Sequence, residues 1–462
     1  MSDNKDNTII YLLCAPGFVL IDTWLPVIKT MKETKNTRVY FVFPQPSSLA
    51  LVNNESQLFR MSELYIDGVI FKHYTNDWLS SKSLDKAKKI GTISRANRKI
   101  LQLAGRLIRG RLSRIPGMPI IGKTINLFIA SKEKVKLMIK YNRNLFIDKL
   151  DQFGSVSAIL YDMTAEAKAC NNEFIEYFKK TPKFSMYHGP ATRWLKVGYD
   201  CNSNEASKHR DDTVVFANSP YEIEGYKKCY GISERNAITS GVVRHDPKWM
   251  DYVLNNANIE NNKIVFDDFV FLISRPASPY LPVERKKKTL NEINSLICNE
   301  LNKKIVIKPH PKEDIHGLDG ELYMDIFGKE NYGVTWCYSE LHSFVLGSKC
   351  EFAISFFSCV PTDLIALGKS TVEYLDLRGI NRFDNKNSRR DNDGHPVFSE
   401  RYANLVLGAS DYQQFKSHVY NLIDNKSKTF DLLKDKYNYY YPTHKNTSQV
   451  VSENIFNYIS KK

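Results

Sequence analysis

Lys304-Ile305-Val306-Ile307-Lys308-Pro309-His310-Pro311 is the stretch on which the reading of this chain turns. Its apolar run, Ile-Val-Ile, suits a strand covered on both faces, as in a parallel sheet. Two prolines then force the backbone out of the ladder. The turn leaves a lysine, Lys308, and an imidazole, His310, at the carboxyl end of the strand, where open α/β sheets bind their ligands. A cation and a hydrogen-bond donor at that edge suit an anion such as a nucleotide phosphate. The plain alternative is a proline-rich turn that merely contains a histidine, and the surrounding sequence decides between the two.

Outward from this stretch the pattern is α/β. Strands are expected at Phe269–Ile273, Lys304–Ile307, Phe352–Ile354 and Thr371–Leu375, with helices at Leu290–Leu301, Glu340–Leu346 and Asp363–Leu367. The chain opens in the same way, with a strand at Ile9–Leu13, a helix at Ile21–Glu33 and a strand at Arg38–Phe43. Later β-like runs lie at Gly68–Phe71, Ala158–Tyr161, Lys183–Tyr187 and Thr213–Ala217. Strand and helix alternating in this way build parallel sheets, and 462 residues are too many for one compact core. The expected layout is a first doubly wound domain over 1–254, a second over 263–429, and a helical tail, 430–462, returning to the first. The Asn-rich piece Asn255–Asn262 serves as the linker. Two such domains form a cleft, with ligands between facing strand ends.

Composition excludes several classes. Hydrophobic content of 42% and charged content of 25% are those of an ordinary globular enzyme. Eight scattered cysteines form no Cys-x-x-Cys pair and no zinc spacing, which fits reduced core thiols in a cytoplasmic protein. No secretory signal and no bilayer-spanning stretch is visible. The net charge of +14 is concentrated between Lys82 and Lys149, where 18 Lys or Arg meet three acids. Within it Arg106, Arg109 and Arg111 alternate with Ile100, Leu103 and Leu107 at helical spacing. A basic amphipathic helix of this kind suits the anionic inner face of a membrane. Nucleic acid is disfavoured as a partner, because no recognisable nucleic-acid module accompanies the charge.

Further candidates lie at other strand ends. Ser355-Phe356-Phe357-Ser358-Cys359-Val360-Pro361 joins a short strand to a helix, with Pro361 suited to the first turn and Ser358 near the cap. Arg275, just after the strand Phe269–Ile273, falls on the same edge as His310, and Glu373, on Thr371–Leu375, is placed to hold a ribose diol. In the first domain Asp162 ends one strand, with Glu166 four residues on, and His188-Gly189 ends another. Asp162, Glu166 and His188 are the groups placed to act as base or nucleophile in a transfer to a hydroxyl.

Taken together, His310-Pro311, Ser355…Ser358, His188-Gly189 and Gly241-Val242-Val243-Arg244-His245-Asp246 resemble motifs of bacterial surface-polysaccharide glycosyltransferases of the GT-B type. This group holds capsule and lipopolysaccharide Kdo transferases, polysialyltransferases and CDP-glycerol glycerophosphotransferases. The resemblance runs from about Ala158 to Leu377. It implies a GT-B fold of two Rossmann-like domains, with the basic segment as an insertion in the first. It places His310, Ser355 and Ser358 on the phosphate of a nucleotide-activated sugar, often a cytidine nucleotide such as CMP-Kdo or CMP-sialic acid. The acidic catalytic residue belongs to the N-terminal domain. The acceptor is a hydroxyl of a surface glycan or glycolipid, met at the inner face of the cytoplasmic membrane. Charge on the leaving phosphate is met by hydrogen bonds and cations, so no metal or other cofactor is expected. Two departures stand out. Val243 occupies the place of a proline, and two phenylalanines separate the serines. The other expectations are a CDP-glycerol-type phosphotransferase, a hydrolysing nucleotide-sugar 2-epimerase and a non-catalytic partner in capsule assembly.

Overall fold

The structure, a computed structural model, describes residues 8–14, 19–44, 56–72, 78–90, 155–163, 174–189, 212–256, 266–386, 388–442 and 446–461. Most of the basic segment, with Arg106, Arg109 and Arg111, lies outside these residues, as do Glu166 and most of the Asn-rich linker. The chain forms two compact units. Met1–Asn53, Met61–Ser185 and Asn454–Lys462 make one, and Asn54–Arg60 with Met186–Glu453 make the other.

In the first unit, strands β1 (Thr8–Leu13), β2 (Thr37–Phe43), β3 (Gly68–Lys72), β4 (Trp78–Ser81), β5 (Ala158–Asp162) and β6 (Lys183–Met186) lie in the order β4-β3-β2-β1-β5-β6. β1 pairs in parallel with both β2 and β5, and β4 runs antiparallel at the edge. The apolar runs form because both faces are covered. On one face Ile9, Tyr11, Leu13, Val42, Ile159 and Tyr161 pack with Phe174 and Ile175. Helix α1 (Val19–Thr34) brings Trp24, whose indole N–H donates to the Tyr161 carbonyl at 3.3 Å. The order reverses between β1 and β5, and Asp162 ends β5 at that reversal.

The second unit holds the parallel pair β7 (Thr213–Ala217) and β8 (Ala237–Thr239), joined through α2 (Pro220–Tyr230). Ser219 caps that helix by accepting from Tyr221 N–H, with Pro220 in its first turn. After α3 (Pro247–Asn255) comes a six-stranded sheet: β9 (Val270–Ile273), β10 (Ile305–Lys308), β11 (Trp336–Tyr338), β12 (Ala353–Ser355), β13 (Thr371–Tyr374) and β14 (Leu407–Ala409). Its order is β11-β10-β9-β12-β13-β14, parallel throughout. This is the doubly wound order whose switch point, between β9 and β12, opens a crevice at the carboxyl ends.

Helices α4 (Val283–Asn294), α5 (Leu318–Phe327) and α8 (Tyr412–Asp424) supply Leu290, Ile293, Tyr323, Phe327, Phe415 and Val419 to one face of that sheet. On the other, α6 (Ser343–Lys349) and α7 (Val360–Ala366) bring Val345, Leu346 and Leu364 against Phe271, Ile273, Val306 and Ala353. Each large side chain so buried contributes about 1.5–3 kcal/mol. α6 and α7 approach closely, since a Cβ on Gly347 would lie 2.4 Å from Leu364. The chain ends with α9 (Lys426–Tyr440) and the helix Thr447–Ser460.

Several boundaries differ from the sequence expectation. The helix expected at Leu290–Leu301 begins at Val283 and finishes as a π-helical turn over Ser295–Glu300. Its charged opening, Glu-Arg-Lys-Lys-Lys, hid the start. Strands β4, β8, β11 and β14 were not expected. All are three or four residues long and lie at sheet edges, where burial on both faces is not required and the apolar signal is weak.

Candidate functional site

In the second unit, sheet register places Lys308 opposite Ile273, Ile273 opposite Ser355, and Ser355 opposite Glu373. The segments leaving this row are Ser274-Arg275 from β9, Pro309-His310 from β10 and Phe356–Ser358 from β12. They flank the switch point between β9 and β12. Three sequence-selected groups are thereby brought to one crevice.

His310 is half-buried there, and its chemistry is set by three neighbours. Its backbone N–H donates to Glu313 Oε2 at 2.6 Å, and Lys312 N–H donates to its Nδ1 at 3.1 Å. With Nδ1 accepting, the proton of the neutral ring sits on Nε2. Burial, then the positive charges of Arg275 and Lys312, lower its pKa from 6.5 to about 4. His310 is therefore a neutral N–H donor at the crevice.

Arg275 is the cation beside it. Its Nε donates to the Phe357 carbonyl at 2.8 Å, and its guanidinium carbon lies 4.5 Å from the centroid of the Phe357 ring. Phe398 stacks on Phe357 with centroids 5.0 Å apart. This clasp fixes the plane of the guanidinium while leaving its two Nη groups for an anion. Burial lowers the Arg275 pKa, opposed by Cys359, Glu400 and Glu313. The two phenylalanines between the serines thus have a purpose: Phe356 is buried in the core and Phe357 carries the arginine.

The serines divide. Ser358 Oγ accepts from Val360 N–H at 3.2 Å and closes the turn into α7. That helix has seven residues, so any anion here depends on side chains more than on a helix dipole. Ser355 is 1% exposed, and its hydroxyl has no hydrogen-bond partner among the described residues. Lys308, by contrast, donates to the Leu341 carbonyl at 2.8 Å, which ties β10 to the loop before α6. Glu373 is 2% exposed, and burial followed by the Glu400 charge raises its pKa to about 8, against the pull of Arg401.

His188-Gly189 joins this group. Gly189 has φ 111°, a conformation that favours glycine, and a Cβ there would contact Cys359 Sγ at 3.6 Å. Its carbonyl accepts from Asn218 Nδ2 at 3.2 Å, and His188 stacks on Tyr187 with centroids 4.6 Å apart. The His-Gly step therefore abuts the serine loop. Burial pushes the Cys359 thiol up to about 11, so it stays protonated. In the first unit Asp162 is buried at the end of β5.

Sequence reasoning passed over two buried carboxylates. One is Glu313, three residues after His310. Asp363 on α7 accepts from His245 Nε2 at 2.7 Å and pairs with Arg244 at 3.0 Å. His245 Nδ1 lies 2.5 Å from the Tyr437 hydroxyl on α9. The Gly241–Asp246 stretch is thus a packing element through which α7 is held. Elsewhere Asp391, Asp393 and His395 bring ligand-type atoms within 4.8 Å of one another. There Asp391 already accepts from Arg401 and from the backbone N–H groups of Asp393 and His395.

No family model matches the chain, and neither does any curated protein. Solved structures do. A putative UDP-N-acetylglucosamine 2-epimerase from Listeria monocytogenes is 10% identical, with 99% of this chain and 98% of that chain covered and a TM-score of 0.55. MnaA of S. aureus, solved with UDP, is 11% identical over 98% and 97% of the two chains, with a TM-score of 0.54. The wall teichoic acid polymerase TagF is 10% identical over 98% and 89%, with a TM-score of 0.52. At these identities the likeness shows the fold, GT-B with two parallel-sheet domains. It does not single out the Kdo- and sialyl-transferase group.

Proposed function

We propose that the chain is a GT-B enzyme acting on a nucleotide-activated sugar, whose phosphate is held in the crevice between β9 and β12. The observation that carries this is the pairing of a clasped, half-buried Arg275 with a neutral His310 that presents Nε2–H. An arginine supplies charge and a fork of donors, and the imidazole adds one directed hydrogen bond without a second desolvated cation. Negative charge develops on the nucleotide phosphate when the activated bond breaks, and donors fixed in advance stabilise it.

Between reaction classes, the hydrolysing 2-epimerase reading gains over a CMP-linked transferase. Its support is that several fold neighbours are named as UDP-N-acetylglucosamine 2-epimerases. A transfer reaction is the second reading. It is favoured by the Lys-Pro-His-Pro and serine-loop motifs and by TagF among the fold neighbours. In that reading Asp162 or Glu166 supplies the carboxylate, and the basic segment meets the inner membrane surface.

The deciding experiment incubates the full chain with UDP-N-acetylglucosamine, CMP-sialic acid and CDP-glycerol, and follows nucleotide release and sugar products. His310→Ala and Arg275→Met should each lower turnover by about 10²–10³-fold while the protein stays folded. Unchanged turnover in both variants sinks the phosphate site. If no donor is turned over and no nucleotide binds, the enzyme reading falls in favour of a non-catalytic partner.

A further inference from the structure

Glu313 has no exposed side-chain surface, yet four donors converge on it. Oε2 accepts from His310 N–H at 2.6 Å. Oε1 accepts from Lys286 Nζ at 2.7 Å, Tyr323 OH at 2.8 Å and Ser274 Oγ at 2.9 Å. The Ser274 and Tyr323 hydroxyls also touch each other. Lys286, equally buried, reaches Asp319 Oδ1 at 3.0 Å, and Asp319 Oδ2 accepts from Asp314 N–H at 3.1 Å. The turn after His310 is therefore fastened at both ends, to α4 by Lys286 and to α5 by Tyr323 and Asp319.

These partners sit directly beside the two groups that face the crevice. Ser274 is the residue before Arg275, and His310 is itself a partner. We infer that Glu313 is a positioning residue, the single carboxylate that fixes Arg275 and His310 relative to each other and holds His310 in the tautomer that presents Nε2–H. The inference rests on the phosphate-site reading for its consequence, though not for its geometry.

A carboxylate suits the place because it only accepts, with Oε2 taken by His310 N–H and Oε1 shared by Lys286 and the two hydroxyls. A glutamine would turn an N–H toward at least one of those donors. Lys286 balances the buried charge, so the cluster is satisfied throughout. While Glu313 holds His310 N–H, the tight turn keeps Lys312 N–H on Nδ1. Release of the turn frees the ring to exchange tautomers.

The test uses the full chain with 15N-labelled histidine, and UDP and CMP as probes. Wild-type His310 should show an unprotonated Nδ1 and a protonated Nε2. Glu313→Gln should mix the tautomers and weaken nucleotide binding on the order of tenfold. In a His310→Ala background the same change should cost measurably less than about tenfold, because the part of its effect that acts through His310 is already lost. Lys286→Met keeps the Glu313–His310 bond, so it should lower stability but preserve the tautomer. It therefore serves if Glu313→Gln does not fold. A wild-type tautomer and affinity in Glu313→Gln, effects that multiply with His310→Ala, or a mixed tautomer in Lys286→Met each overturn the inference. If neither nucleotide binds the wild type, the phosphate reading fails by itself, and the tautomer spectra still decide the role of Glu313.

Discussion

Glu313 and Asp363 are both buried carboxylates paired with a buried cation in the same unit, and they do different work. Three of Glu313's four partners are uncharged donors, two of them beside the crevice. Asp363 meets Arg244 and His245, which follow β8, and through His245 it reaches Tyr437 on α9. The first carboxylate fastens loops that face a ligand; the second fastens helices and segments to one another. Ion pairing alone does not tell the two apart. What distinguishes them is whether the partner's own neighbour meets the ligand.

The largest effect should come from Asp363. Asp363→Ala removes the carboxylate that pairs with the buried Arg244, and loss of one partner of a buried pair costs about 3–5 kcal/mol. Urea unfolding should show that loss, with nucleotide affinity of the folded fraction within about threefold of wild type. Glu313→Gln should invert the pattern, with the larger change in affinity. Equal losses of stability and affinity in both variants would break the comparison.

The same contrast governs what the sequence revealed. Glu313 stands in Lys-Pro-His-Pro-Lys-Glu, so an acid three residues after the histidine was open to a local reading as the acceptor closing that turn. The parallel strands and the positions of Arg275 and His310 at one sheet edge were legible for a similar reason. An apolar run and the residue that ends it fix a strand's carboxyl end. The Asp363 cluster was not legible, since 118 residues separate it from His245 and only the finished fold joins them. For Lys308, strand position says nothing of where a long side chain finds its acceptors, one of which is the Leu341 carbonyl. Phe357 looked like a departure from a motif until Arg275 was seen stacked on it.

Glu373 sharpens the comparison as a buried carboxyl without the donors Glu313 has. Its pKa rises from 4.5 to about 8, so the folded state holds the proton over a range in which the unfolded chain has lost it. Stability from this group is present below pH 4.5 and is lost as pH rises toward about 8. Glu373→Gln should therefore stabilise the protein by on the order of 4 kcal/mol at pH 8 and make little difference near pH 4.5. Thermal melts of both proteins at the two pH values check this, and a pH-independent difference contradicts it. His310 runs the other way. Its lowered pKa makes stability fall as pH drops from 6.5 toward about 4, a smaller total change that His310→Asn should remove.

The smallest effect tests how far the Asp363 cluster extends. His245 Nε2 faces a carboxylate, which only accepts, so that nitrogen carries a proton, and in the neutral ring Nδ1 accepts from the Tyr437 hydroxyl. Tyr437→Phe removes one neutral donor and leaves the Arg244–Asp363 pair intact, so it should cost only about 1 kcal/mol. In an Asp363→Ala background the same substitution should cost measurably less, because an imidazole without its carboxylate no longer has a fixed tautomer to satisfy. Equal costs in the two backgrounds, measured by urea unfolding, would mean that Tyr437 packs against His245 without sharing its proton order. The cluster would then end at the imidazole.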